Sequence, residues 1–126
     1  MFFELKVGKG KMQVNIEAHL FSDGLSVSLF GGDKPHIGAV ALSIPRKSLK
    51  DKKFISCSTS ILTVTEHKDD VIAKEMSEAI SKAANITVTV VAGIHIDNAG
   101  KKDIEQVMRN CRKASQKLIE LVKNKR

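Results

Sequence analysis

The chain has 126 residues, 42% apolar and 28% charged, with a net charge of +7; this bounds it to one globular domain over residues 1–126, too apolar for wholesale disorder and too short for a second core. No stretch approaches the roughly 20 apolar residues that cross a bilayer, and Met1 to Lys6 offer no signal-peptide core, so a cytoplasmic location is expected. The absence of Trp and Tyr argues against a base-stacking nucleic-acid platform, and the positive charge of the last helix and of a basic loop at 46–53 reads as solvated surface.

A short extra strand fits residues 2–7. Met12, Val14, Ile16, Ala18 and Leu20 then alternate with polar residues, the period of a strand buried on one face. Ser22-Asp23-Gly24 supplies a turn, and Leu25, Val27 and Leu29 continue the alternation, so a hairpin is expected, closed by Gly31-Gly32-Asp33. A third strand runs from about 37 to 44, stopped by Pro45. The fourth covers 54–64, with Ile55, Cys57 and Ile61 facing one way and Ser56, Ser58 and Ser60 the other. Val71, Ile72, Met76, Ala79, Ile80 and Ala83 predict a helix over 69–84, its first turn carrying Asp69 and Asp70. A fifth strand spans 86–96. The last helix, about 101–123, is amphipathic through Ile104, Val107, Met108, Cys111, Leu118, Ile119 and Val122, with Asn98 as its cap. Cys57 and Cys111 fall on apolar stripes, as reduced core thiols do.

The order β-β-β-β-α-β-α predicts an α+β two-layer sandwich, a mainly antiparallel sheet of about five strands with two helices on one face. The other face collects Asn15, Glu17, serines and threonines, and is either hydrated or packed against another subunit. If the first four strands form an antiparallel meander and the helix from Asp69 is a crossover, strands four and five run parallel. Three histidine segments, 31–38, 66–69 and 93–98, then meet at one sheet edge, with His19 left at the other. There Gly31, Gly32, Lys34, His36, Lys68 and Asn98 are candidates to receive an anionic cofactor at the two helix N-termini. His36, His67, His95, Asp69 and Asp97 are candidates to hold a divalent metal ion. Taken singly, each has an ordinary structural role as a surface histidine, helix cap, turn glycine or solvated lysine.

Three blocks, Gly-Gly-Asp-Lys-Pro-His-Ile-Gly-Ala-Val-Ala at 31–41, Glu-His-Lys-Asp at 66–69 and Val-Val-Ala-Gly-Ile-His-Ile-Asp-Asn at 90–98, resemble the LpdD-like prenylated flavin chaperone family. The similarity covers about residues 12–122. It implies a homo-oligomeric binding protein for prenylated flavin mononucleotide (prenylated FMN), carrying the cofactor between a flavin prenyltransferase and a UbiD-type decarboxylase. With no Trp or Tyr to stack on a flavin ring, Ile37, Ile94 or Phe30 would serve. No nucleophile elbow, Walker loop or zinc-protease helix is present. The alternatives are a metal-dependent enzyme acting on a phosphorylated or carboxylated small molecule, with His95 or His67 as acid/base or metal ligand, and a basic nucleic-acid-binding domain.

Overall fold

Six stretches of alternating or β-branched sequence form the strands of a single mixed sheet, and two amphipathic stretches form the helices that cover one side of it. The strands are β1 (Phe2–Val7), β2 (Val14–Leu20), β3 (Gly24–Gly32), β4 (Ala39–Lys47), β5 (Ile55–Thr63) and β6 (Thr87–His95). The helices are α1 (Asp69–Ala84), between β5 and β6, and α2 (Lys101–Asn124) after β6. The computed structural model describes residues 1–64 and 68–125, so Glu66 and the candidate ligand His67 lie outside the described residues. Among the described residues, no helix is long and apolar enough to cross a membrane.

The sheet order is β1-β2-β3-β6-β4-β5. The hairpin expected at Ser22-Asp23-Gly24 is present, with Leu20 opposite Leu25, and the segment at 2–7 is a full edge strand paired with β2. The meander does not run through the first four predicted strands. Instead β6 inserts between β3 and β4, parallel to the first and antiparallel to the second. Its run of Val88, Val90 and Ala92 is completely buried, which suits a central strand bonded on both sides and covered by helices. The insertion leaves strand directions unchanged: β5 and β6 still run the same way, flanking β4.

Pro45 does not stop β4, which continues to Lys47 with Pro45 opposite Cys57. Pairing to β6 ends at Ser43, so Pro45 sits where that side of β4 is already an edge, and proline is tolerated there. α1 packs on β4, β5 and β6, and α2 on β1 and β2. Between them lie Ile16, Leu29, Ile80, Val88, Val90, Leu118 and Val122, all fully buried. The buried face of α1 also includes Ala73, Ser77 and Ser81, whereas Val71 is half exposed. Ser81 Oγ donates to the Ile86 carbonyl at 2.8 Å, and Ser77 accepts from Ser43 at 2.8 Å, so these hydroxyls enter the core with partners.

Both cysteines are free thiols, Cys111 buried and Cys57 partly so. Burial, then the neighbouring Glu75 carboxylate, pushes the Cys111 thiol up to about 12. At pH 8 the native protein should therefore lose one thiol to iodoacetamide and the denatured protein two, counted by intact mass. Rapid native alkylation of Cys111 would contradict this packing. The linkage has a definite sign: the unfolded thiol ionises from about 9, so this contribution to stability is intact below that pH and declines as pH rises toward 12.

Candidate functional site

Strand direction alone brings the ends of β3 and β6 and the start of β4 to one edge, and side-chain and backbone bonds weld them there. The Asp33 and Lys34 amides donate to the His95 carbonyl at 2.7 and 3.2 Å. The Asp97 amide donates to Asp33 Oδ2 at 2.9 Å. Gly32 turns the chain at φ 81°, and a Cβ there would overlap the His95 carbonyl. The room that Gly31 and Gly32 provide on their Cβ side is thus filled by the protein itself, by the Gln13 carbonyl and the His95 carbonyl respectively. Further along, the His36 carbonyl presses directly on Gly93, and Gly38 leaves space for the Asp69 carboxylate.

Asp69, at 2% exposure, is the buried hub. Its Oδ1 accepts the Ile94 amide at 3.1 Å, and its Oδ2 stands 3.0 Å from His36 Nε2. The second contact is close but poorly aligned for a hydrogen bond. His36 Nδ1 meets the Lys34 carbonyl at 3.1 Å. His95 Nε2 pairs with Asp97 Oδ1 at 3.0 Å, and Lys34 Nζ approaches the same oxygen at 3.6 Å. The His36 and His95 rings are edge-on with centroids 6.2 Å apart. His36, His95, Asp69, Asp97 and Lys34 therefore form one connected cluster.

Beside it opens a cleft of about 600 Å³ between the N-terminal ends of the two helices and the end of β6. Lys68, Asp69 and His95 line its polar side, and Ile72, Ile94, Ile96, Ile104, Val107 and Met108 its apolar walls. A groove of about 200 Å³ continues along the α1–α2 seam, sharing Ile72 and Met108. Of the three apolar residues expected to face a flavin ring, Ile94 lies here. Ile37 is an exposed loop residue, and Phe30 alternates with buried Leu29 and Gly31 onto the opposite side of the sheet, so Phe30 is not a wall of the cleft.

The helix ends differ from expectation in detail. Asn98 is an exposed turn residue at φ 55°, and α2 is capped at Gly100, whose amide donates to Asp103 Oδ2 at 3.0 Å. Asp69 is the first residue of α1 but sends its side chain into the cluster. Asp70 Oδ1 accepts the Val71 amide at 2.9 Å. Among the described residues, no group of three or more His, Cys, Asp or Glu is placed to hold a metal ion. The imidazoles of His36 and His95 are instead turned to carboxylates and a carbonyl, and His67 is not described. Asp33, Gly38 and Gly93 lie within the predicted segments without being singled out, and Ile72, Ile104 and Met108 were read as helix-stripe residues and not as cleft walls; glycines inside strand patterns were the available signal.

The family model for the prenylated flavin chaperone LpdD-like domain matches residues 8–123. The chain belongs to this family. Its LpdD-like domain spans almost the whole sequence. No curated protein matches it. Among solved structures, one described as a novel chaperone complex for yeast 20S proteasome assembly is similar, with a TM-score of 0.62 and 14% identity over 98% of this chain and 95% of that chain. At that identity the likeness is one of fold.

Proposed function

We propose that this LpdD-like protein binds prenylated FMN in the cleft between the helix N-termini and serves as its carrier to a UbiD-type decarboxylase after a flavin prenyltransferase. The observation that carries this reading is the cleft itself: its volume is within the roughly 300–1,000 Å³ of small-molecule sites, and its walls are apolar with a few polar groups at one side. The ring system would lie against Ile94, Ile104 and Met108. α1 already holds Asp69 and Asp70 at its N-terminus, so the phosphate would be received by Lys68 with the first turn of α2 and its Lys101 and Lys102. Family membership supports the choice of flavin over other phosphorylated ligands.

The cofactor when bound supplies its own redox and adduct chemistry, and the chain's part is to hold, orient and shield it. His36, from outside the cleft, stands against Asp69 on its polar side. The experiment is anaerobic mixing with reduced prenylated FMN, desalting, and absorbance of the protein fraction. Wild type should retain about one flavin per chain, and Lys68→Ala with Lys101→Ala substantially less; a colourless wild-type fraction would remove the reading. A parallel arm with chelator reads whether a divalent cation takes part.

The His95–Asp97 pair at 3.0 Å favours a second reading, since an imidazole oriented by a carboxylate is acid/base machinery. Multiple turnovers on phosphorylated or carboxylated small molecules, lost in His95→Ala, would replace the carrier by an enzyme.

A further inference from the structure

The groove of about 200 Å³ that continues from the cleft along the α1–α2 seam holds a polar group that the fold leaves without a bond. Ser43, Ser77, Ser81 and Ser115 are all buried. Ser43 meets Thr59 and donates to Ser77, Ser77 donates to the Lys74 carbonyl, and Ser81 donates to the Ile86 carbonyl. Ser115 on α2 is 6% exposed and lines the groove, and its Oγ has no hydrogen-bond partner among the described residues. Burying a hydroxyl without a partner costs stability, and each such case in a native protein calls for a reason, a bound group among them.

The rest of the lining tells what kind of group. Past Ile72 and Met108 at the cleft come Glu75 and Arg112, then Ala79 and Ser115. Arg112 Nε donates to Glu75 Oε1 at 2.6 Å across the seam, so the two charges offset each other. The Cys111 thiol, pushed up to about 12 by burial and then by Glu75, is neutral at physiological pH. The groove therefore suits an uncharged polar end, unlike the helix N-termini with Lys68. Met76, Met108 and Cys111 also bring three sulfur atoms to its lining, and sulfur packs favourably against aromatic rings. In a chain without Trp or Tyr these sulfurs supply contact for a flat ring. We propose that the groove is the inner end of the flavin site: the ring edge that carries the carbonyls and N–H enters the seam against Met76, Met108 and Cys111, and Ser115 Oγ bonds it. The phosphate stays at the helix N-termini. A hydroxyl both donates and accepts, so Ser115 serves either a carbonyl or an N–H of that edge. From Ile104 to Ser115 is about three helical turns, roughly 16 Å, which separates the anionic end of an extended ligand from its uncharged end. This orientation rests on the flavin reading of the cleft.

The test is an anaerobic titration of wild type and Ser115→Ala with reduced prenylated FMN, together with the melting temperature of each ligand-free protein. Ser115→Ala removes a hydroxyl that has no protein partner, so the melting temperature should hold or rise. Affinity should fall about fivefold, the loss of one neutral hydrogen bond. Saturable binding by wild type with equal affinity in Ser115→Ala would overturn the proposal and leave the cleft reading standing, the hydroxyl then belonging to solvent. A lowered melting temperature in Ser115→Ala would overturn it as well, because the hydroxyl would then have a partner within the protein. No saturable binding by wild type would remove the cleft reading and this orientation with it.

Discussion

Gly93→Ala is expected to destabilise the protein by at least ~3 kcal/mol, a drop in melting temperature on the order of 10 °C or more for a domain of this size. A Cβ at Gly93 would collide with the His36 carbonyl oxygen and carbon, and backbone cannot swing aside as a side-chain tip can. The collision must be relieved by lifting residues 34–38 off the end of β6, which breaks the hydrogen bond that the Gly38 amide donates to the Ala92 carbonyl and moves His36 from Asp69. Gly100→Ala is the control: its backbone is ordinary extended chain, the nearest atom to a new Cβ is 3.9 Å away, and the cost should stay below about 1 kcal/mol, that of a weaker helix cap. Equal melting temperatures for the two variants would contradict the close crossing.

The second large effect falls on Asp69. Its carboxylate is nearly without solvent and faces the Ile94 amide and the His36 ring. Asp69→Ala removes both interactions, leaves the part-buried Ile94 N–H without its acceptor and His36 without the buried carboxylate beside it, and should cost ~3–5 kcal/mol in denaturant unfolding. Asp69→Asn keeps a carbonyl oxygen for Ile94 and loses only the charge, so it should cost ~1–2 kcal/mol. The separation between the two variants is the informative quantity, because a residue acting only as a helix-dipole charge would make them nearly equal, at under ~1 kcal/mol.

The convergence of the segments at 31–38 and 93–98 with Asp69 at the start of α1 was legible because it depends only on strand direction. Direction follows from hairpins and one helical crossover, and inserting β6 between β3 and β4 changes neighbours without changing it. The neighbours themselves were not legible, since pairing is decided by burial of β6 against distant strands. Local chemistry misled at two points. Asn98 has the chemistry of a cap, yet Gly100 takes the position because Asp103 reaches back to its amide. Pro45 reads as a strand end, and only the early end of the β6 ladder makes it harmless. Asp69 looked like a first-turn carboxylate, and its burial comes from Gly38 and Ile94, residues brought in by tertiary structure. The cleft walls were half visible: Ile104 and Met108 belong to the predicted apolar stripe of the last helix, but which end of that stripe stays open depends on where α1 begins.

The most direct measurement is an anaerobic titration of the protein with reduced prenylated FMN, comparing wild type with Ile104→Glu. Ile104 is 43% exposed at the cleft wall, so the substitution spares the core while placing a carboxylate against both the apolar ring site and the phosphate end. Saturable one-to-one binding by wild type, weakened at least tenfold in Ile104→Glu with an unchanged melting temperature, is the predicted result. Equal affinity of the two proteins, or no saturable binding by wild type, would contradict the cleft as the flavin site.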